Sequence, residues 1–147
     1  MSSEAPSPLA AFQRYSTMSV APELRFDYWR SLHSDIQLEL PQGRRADDYR
    51  ACVISASSAG GAVLGWCTND DTSAHFAQDN SDFVLVSLTL AGEARLQQAD
   101  GQRHRVTSQS GLVVLDSLQP LSSLAMHHSM LYLMIPRPQV KARAPDA

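Results

Sequence analysis

The sequence is poor in the signals that announce most function classes. It holds only two cysteines, Cys52 and Cys67, in 147 residues. Two thiols alone do not make a zinc site, and without an export signal they are expected to stay reduced. A disulfide between them would require neighbouring strands. No Gly-x-Ser-x-Gly elbow occurs, and no glycine-rich loop ends in the lysine that phosphate binding needs. Gly60-Gly61 lacks that lysine and reads as a turn. No apolar run approaches the ~20 residues of a membrane-spanning helix. The net charge of −3 leaves no basic footprint for nucleic acid. The opening MSSEAPSPLA has no basic region followed by an apolar core, so no secretory signal is expected and the cytoplasm is the expected location. Internal repeats and heptad runs are missing too.

What is present is alternation. Apolar residues make up 44% and charged residues 18% of the chain, enough to bury the core of one ordinary globular domain. The most informative stretch is 83–116. Residues 83–90 are β-branched and apolar, and a break at Ala91-Gly92 follows. Residues 93–98 alternate polar with apolar. Asp100-Gly101 is a strong hairpin signal, because glycine tolerates the positive φ of a tight turn. Residues 102–106 form the returning strand, 108–111 a polar turn, and 112–115 another apolar strand. Four short strands with turn chemistry at each joint predict a barrel or sandwich.

Elsewhere, 1–14 is rich in Ser, Pro and Ala and reads as a flexible arm. Pro22 suits the first turn of a helix over 23–33, with Leu24, Tyr28 and Leu32 on one face and Trp29 beside them. Strands are predicted at 36–40, 49–56, 62–67 and 73–78, with 49–67 a hairpin and 79–82 a turn. Residues 117–121 read as a loop, and 124–126 and 129–135 as two last strands. Pro136-Arg137-Pro138 ends the last of these, and 141–147 is a polar tail.

Two sets of residues together carry a resemblance. The first is Ser16-Thr17 with the block Arg25-Phe26-Asp27-Tyr28-Trp29-Arg30. The second is the strand at 85–92, the Asp-Gly turn, the strand at 112–115, Asp116-Ser117 with Pro120, and Ile135-Pro136-Arg137. In this order the chain resembles the N-terminal sensor domain of AraC-type transcription regulators over 15–140. The resemblance implies a mostly-β fold: a cupin-like (jelly-roll) β-barrel with an N-terminal amphipathic helix packed on it. It also implies an effector-binding or dimerisation domain that meets DNA only through C-terminal helix-turn-helix motifs. Gln109-Ser110-Gly111 stands where many relatives have Pro-Gly-Asp, so the turn is expected to differ in detail. The sequence stops at Ala147 without those motifs, and the expectation is an isolated sensor domain, cut or truncated. A small cupin enzyme, or an interaction module that pairs with intact regulators, remains as an alternative.

The resemblance directs attention to metal ligands, and the five histidines do not supply them. There is no His-x-His pair, and position 119, where a late ligand would fall, is Gln119. His104 lies between two arginines, as on a solvated face. Adjacent His127 and His128 point to opposite sides of a strand. No metal, no cofactor and no catalysis are expected. A binding pocket is the better reading. Val84, Val86, Leu88 and Leu90 make a uniformly aliphatic face, suited to an apolar layer. Ser87 lies on the mixed face. Met130 and Tyr132 share the mixed face of the last strand. A wall mixing aromatics, Met and hydroxyls suits a ligand cavity. The expected ligand contacts are Ser87, Met130 and Tyr132, with Trp66 and His75 added from strands placed to close the barrel mouth. The partner is a small-molecule effector, with a homodimer also expected and no membrane.

Overall fold

The computed structural model describes residues 11–33, 36–76, 83–116 and 120–143. Its strands are β1 (Gln13–Ser16), β2 (Gln37–Glu39), β3 (Ala51–Ser57), β4 (Val63–Asn69), β5 (Thr72–Phe76), β6 (Phe83–Gln98), β7 (Arg103–Val106), β8 (Leu112–Asp116) and β9 (Leu121–Pro136). Two helices, α1 (Arg25–Ser31) and α2 (Arg137–Arg143), flank them. The described strands join into one sheet, curled as a half-barrel of cupin type.

β6 and β9 are the spine of this sheet. Each is 16 residues long, and they pair antiparallel almost from end to end. In one half, the order is β1-β3-β4-β9-β6-β8; in the other, it is β2-β5-β9-β6-β7. The four strands expected within 83–98 and 124–135 are therefore two. Gly92 is the reason. It adopts φ +71°, and register shifts flank it at Thr89, Ala91 and Glu93. Opposite, His127 takes φ +43°. A bulge turns the strand direction without ending the ladder, where the sequence pattern suggested a break. Gly101 behaves as expected: it takes φ +87° in a tight turn closed by Gln98 N–H to Gln102 O at 2.9 Å.

The helix is shorter than its sequence suggests. Pro22–Leu24 forms a 3-10 turn, and only Arg25–Ser31 is α-helical. Its buried residues are Phe26 and Trp29, whereas Leu24 is exposed. Tyr28 is half-buried. Phe26 meets Tyr49 edge-on at 5.0 Å between ring centres, and Trp29 lies 6.5 Å from the same ring. These aromatics, with Leu38, Ala51, Val53 and Cys67, form the main core. A smaller core of Ala94, Leu96 and Val106 fills the other half.

The N-terminal arm ends earlier than expected, since Gln13 and Arg14 already pair with Ser55 and Ile54 of β3. Thr17, fully buried, anchors the entry. Its hydroxyl accepts from Ala51 N–H at 3.0 Å and donates to Ala51 O at 3.3 Å. The tail begins as α2, tied back by Arg137 to Asp116 and by Gln139 to the Gly60 carbonyl. The turn expected at 79–82 lies outside the described residues. The two cysteines are on neighbouring strands but on opposite faces, because Cys67 sits across from Val53 and not from Cys52. Both thiols are free.

Candidate ligand-binding site

The concave side of the sheet is assembled from cross-strand rows. One row is Val53, Cys67, Met130 and Thr89; the next is Ser55, Gly65, Tyr132, Ser87 and Val113. Gly65 has a steric role here. A side chain at that position would fall 2.5 Å from the Tyr132 ring, so its absence lets the ring lie across β4. α1 covers the concavity from the side, bringing Trp29 and the following His33.

Beneath α1 lies a cavity with two lobes. The wider lobe, about 550 Å³, is lined by Tyr15, Val53, Ser55, Phe83, Tyr132 and Met134 among others. The deeper lobe, about 140 Å³, reaches Trp29, Leu38, Ser87, Thr89, His128 and the smaller core. His33, Ile36, Cys67, Phe76, Leu85 and Met130 line both lobes, which therefore adjoin.

Burial sets the electrostatics. Desolvation lowers the pKa of His33 and of His128, which favours the neutral imidazoles. His33 Nδ1 lies 2.9 Å from the Trp29 carbonyl. His128 Nε2 lies 2.8 Å from the Thr89 hydroxyl. Burial pushes the Cys67 thiol up to about 12 and raises the Tyr132 phenol, whose hydroxyl is paired with Ser55. Both stay protonated at neutral pH. Among the described residues, no three His, Cys, Asp or Glu side chains are grouped to hold a metal.

The residues singled out from sequence divide between the two sides of the sheet. Ser87 is buried in the deeper lobe, Met130 lines both lobes, and Tyr132 lines the wider one. Trp66 is on the convex side, in a row with Ile54, Leu131, Leu88 and Leu112. Strand parity decides this, since Cys67 next to it points inward. His75 is exposed, in a groove of about 560 Å³ on the convex side shared with Arg95, Arg103 and Arg105. Sequence reasoning did not select Thr89, His128, His33 or Trp29. Thr89 and His128 have the parity of Ser87 and Met130 and were within reach of that argument. His33 and Trp29 depend on where the helix docks, which no local pattern encodes.

The sequence model of the AraC-binding-like domain family matches residues 31–147. The chain therefore belongs to the AraC-binding-like domain family. Among solved structures, the AraC-like transcriptional activator CuxR superposes with a TM-score of 0.77 at 15% identity, over 92% of this chain and 51% of that one. The chain thus spans about half the length of that activator, and the likeness shows the fold. The Clostridium difficile EutQ protein gives a TM-score of 0.48 at 12% identity, over 71% of this chain and 79% of that one. The cupin domain of Schizosaccharomyces pombe Cnp3 gives 0.45 at 11% identity, over 65% and 72%. No curated protein sequence matches.

Proposed function

We propose that this is the effector-sensing domain of an AraC-type transcription regulator, a binding domain and not an enzyme. The single observation that carries the proposal is the two-lobed cavity beneath α1, in a domain of this family. A small-molecule effector sits there against Ser87, Met130 and Tyr132, and touches Trp29 and His33 of the covering segment. An occupant that binds one arrangement of the domain better than another shifts the population toward it, and attached DNA-binding modules respond. DNA is contacted only through such a separate C-terminal module, so the regulator works in the cytoplasm.

A second copy of the chain is the proposed partner for the convex side. Two full rows across five strands, Ile54-Trp66-Leu131-Leu88-Leu112 and Ala56-Leu64-Leu133-Val86-Val114, contain no polar residue. Leu112 and Val114 are 71% and 65% exposed. An uncharged, twisted face is complementary to its own copy, since like-twisted sheets stack in near alignment. Light scattering coupled to size exclusion tests this: a dimer is expected, and Leu131→Asp should give monomers.

A thermal-shift screen of small metabolites tests the sensing role. An occupant at a hundredfold excess over its Kd stabilises by about 2.7 kcal/mol. A shift abolished by filling the wide lobe, as in Ser55→Trp, supports the cavity as the site. A shift unaffected by that change would place binding elsewhere.

A further inference from the structure

No described residue lining either lobe of the cavity is Asp, Glu, Lys or Arg. We infer that the effector is itself uncharged: a mainly apolar molecule bearing one or two hydroxyl, carbonyl or amide groups. This rests on the sensing role proposed above and adds the chemistry of the guest.

The polar groups facing the cavity define what it can recognise. A carbonyl only accepts, so the contact of His33 Nδ1 with Trp29 O places the ring proton on Nδ1. Nε2 is then a bare lone pair, an acceptor for a guest hydroxyl or amide N–H. Ser87 is 8% exposed, and its hydroxyl makes no side-chain hydrogen bond among the described residues. It can donate to a guest carbonyl or accept from a guest hydroxyl. Several other polar side chains on the lining already have partners: Thr89 with His128, Tyr132 with Ser55, and Asn69 with Thr72. Each of these is a neutral donor or acceptor.

A buried carboxylate or phosphate needs a cation or a cradle of several N–H groups, and a buried ammonium needs a carboxylate. Among the described residues, the lining supplies no charged side chain for either. Burial holds both histidines toward the neutral form, so they do not supply the missing cation. Arg95, Arg103 and Arg105 face the other way, on the convex side of the same sheet. Apolar contact is then the main attraction, with Ser87 and His33 fixing orientation.

One bicyclic body carrying three different charges tests the inference. Naphthalene-2-carboxamide, naphthalene-2-carboxylate and naphthalen-2-ylmethylammonium are titrated into the full chain by calorimetry. In Trp66→Phe protein, Trp29 is the sole tryptophan, and its emission reports occupation of the cavity. The amide is expected to bind one to one and change Trp29 emission. Both ions should bind on the order of 100-fold more weakly. An ion that binds within threefold of the amide, with the same change in Trp29 emission, overturns the inference and leaves the sensing role standing. If the amide and a panel of neutral bicyclic and aliphatic alcohols all leave Trp29 unchanged, the sensing role falls and this inference falls with it.

Discussion

Consider the two sides of the β6–β9 pair near its middle. Toward the cavity, it presents Ser87, Thr89, His128, Met130 and Tyr132; toward the outside, Val86, Leu88, Leu131 and Leu133. The concave side is the more polar of the two. A barrel packed solid and facing water has the opposite arrangement, with aliphatic residues inside and polar ones outside. Past the bulge, the same two strands return to the usual order. Ala94 and Leu96 are buried, and Arg95 and Gln97 face outward beside Arg105 and Arg103 of β7. There Glu93 joins Arg105 at 2.5 Å, a partner that holds its carboxyl below the usual range. The difference teaches that inner and outer character are set separately in each half. One half has polar groups inside and aliphatic ones outside; the other has aliphatic residues inside and charged ones outside.

The comparison is broken most directly at the helix. Trp29→Ala removes the aromatic that closes the concave side and should cost about 3–5 kcal/mol, seen as a large fall in Tm. A loss under about 1 kcal/mol would mean that α1 is a loose cover and that the core lies in the strands alone. Gly65→Ala comes next. The added methyl displaces Tyr132 and should cost about 1–3 kcal/mol, with loss of ligand-induced stabilisation. An unchanged melting curve would show that Tyr132 does not need its place across β4.

Acid probes the same side with a smaller effect. The folded pKa values of His33 and His128 lie below the ordinary 6.5, so the unfolded chain takes up protons first as pH falls. Their contribution to stability is complete above about pH 6.5 and is lost as pH drops from there toward the folded pKa values. Thermal melts between pH 7.5 and 5.5 should show this fall, and His128→Gln should flatten it. The smallest effect is expected outside. Leu112→Ser and Val114→Ser should each change the monomer's stability by less than about 0.5 kcal/mol, since both side chains are already largely in water. A larger loss would show that this wall contributes to the fold of the monomer.

Much of the inner wall was legible from period-two alternation. The parity that groups Ser87 with the mixed face, and Met130 with Tyr132, is the parity the sheet displays. The Asp100-Gly101 turn was equally plain. Strand continuity was not, because Gly92 carries the same local signal whether it ends a strand or bends one. Only the hydrogen bonds to β9 distinguish the two, and those join residues distant in sequence. The helix misled for a related reason. Leu24, Tyr28 and Leu32 form a credible stripe, but the 3-10 turn at Pro22–Leu24 rotates the entry so that Phe26 and Trp29 face Tyr49. Trp66 and His75 lie outside because the neighbours that point inward are Cys67 and Ala74.

Among the described residues, the β6–β9 seam, which resumes on the far side of the bulge, is the one backbone ladder common to both halves. Strands of both halves pair with this seam, so its rupture loosens both together. In hydrogen–deuterium exchange, the amides of Val86 and Ala94, one on each side of the bend, should therefore open as a single cooperative unit.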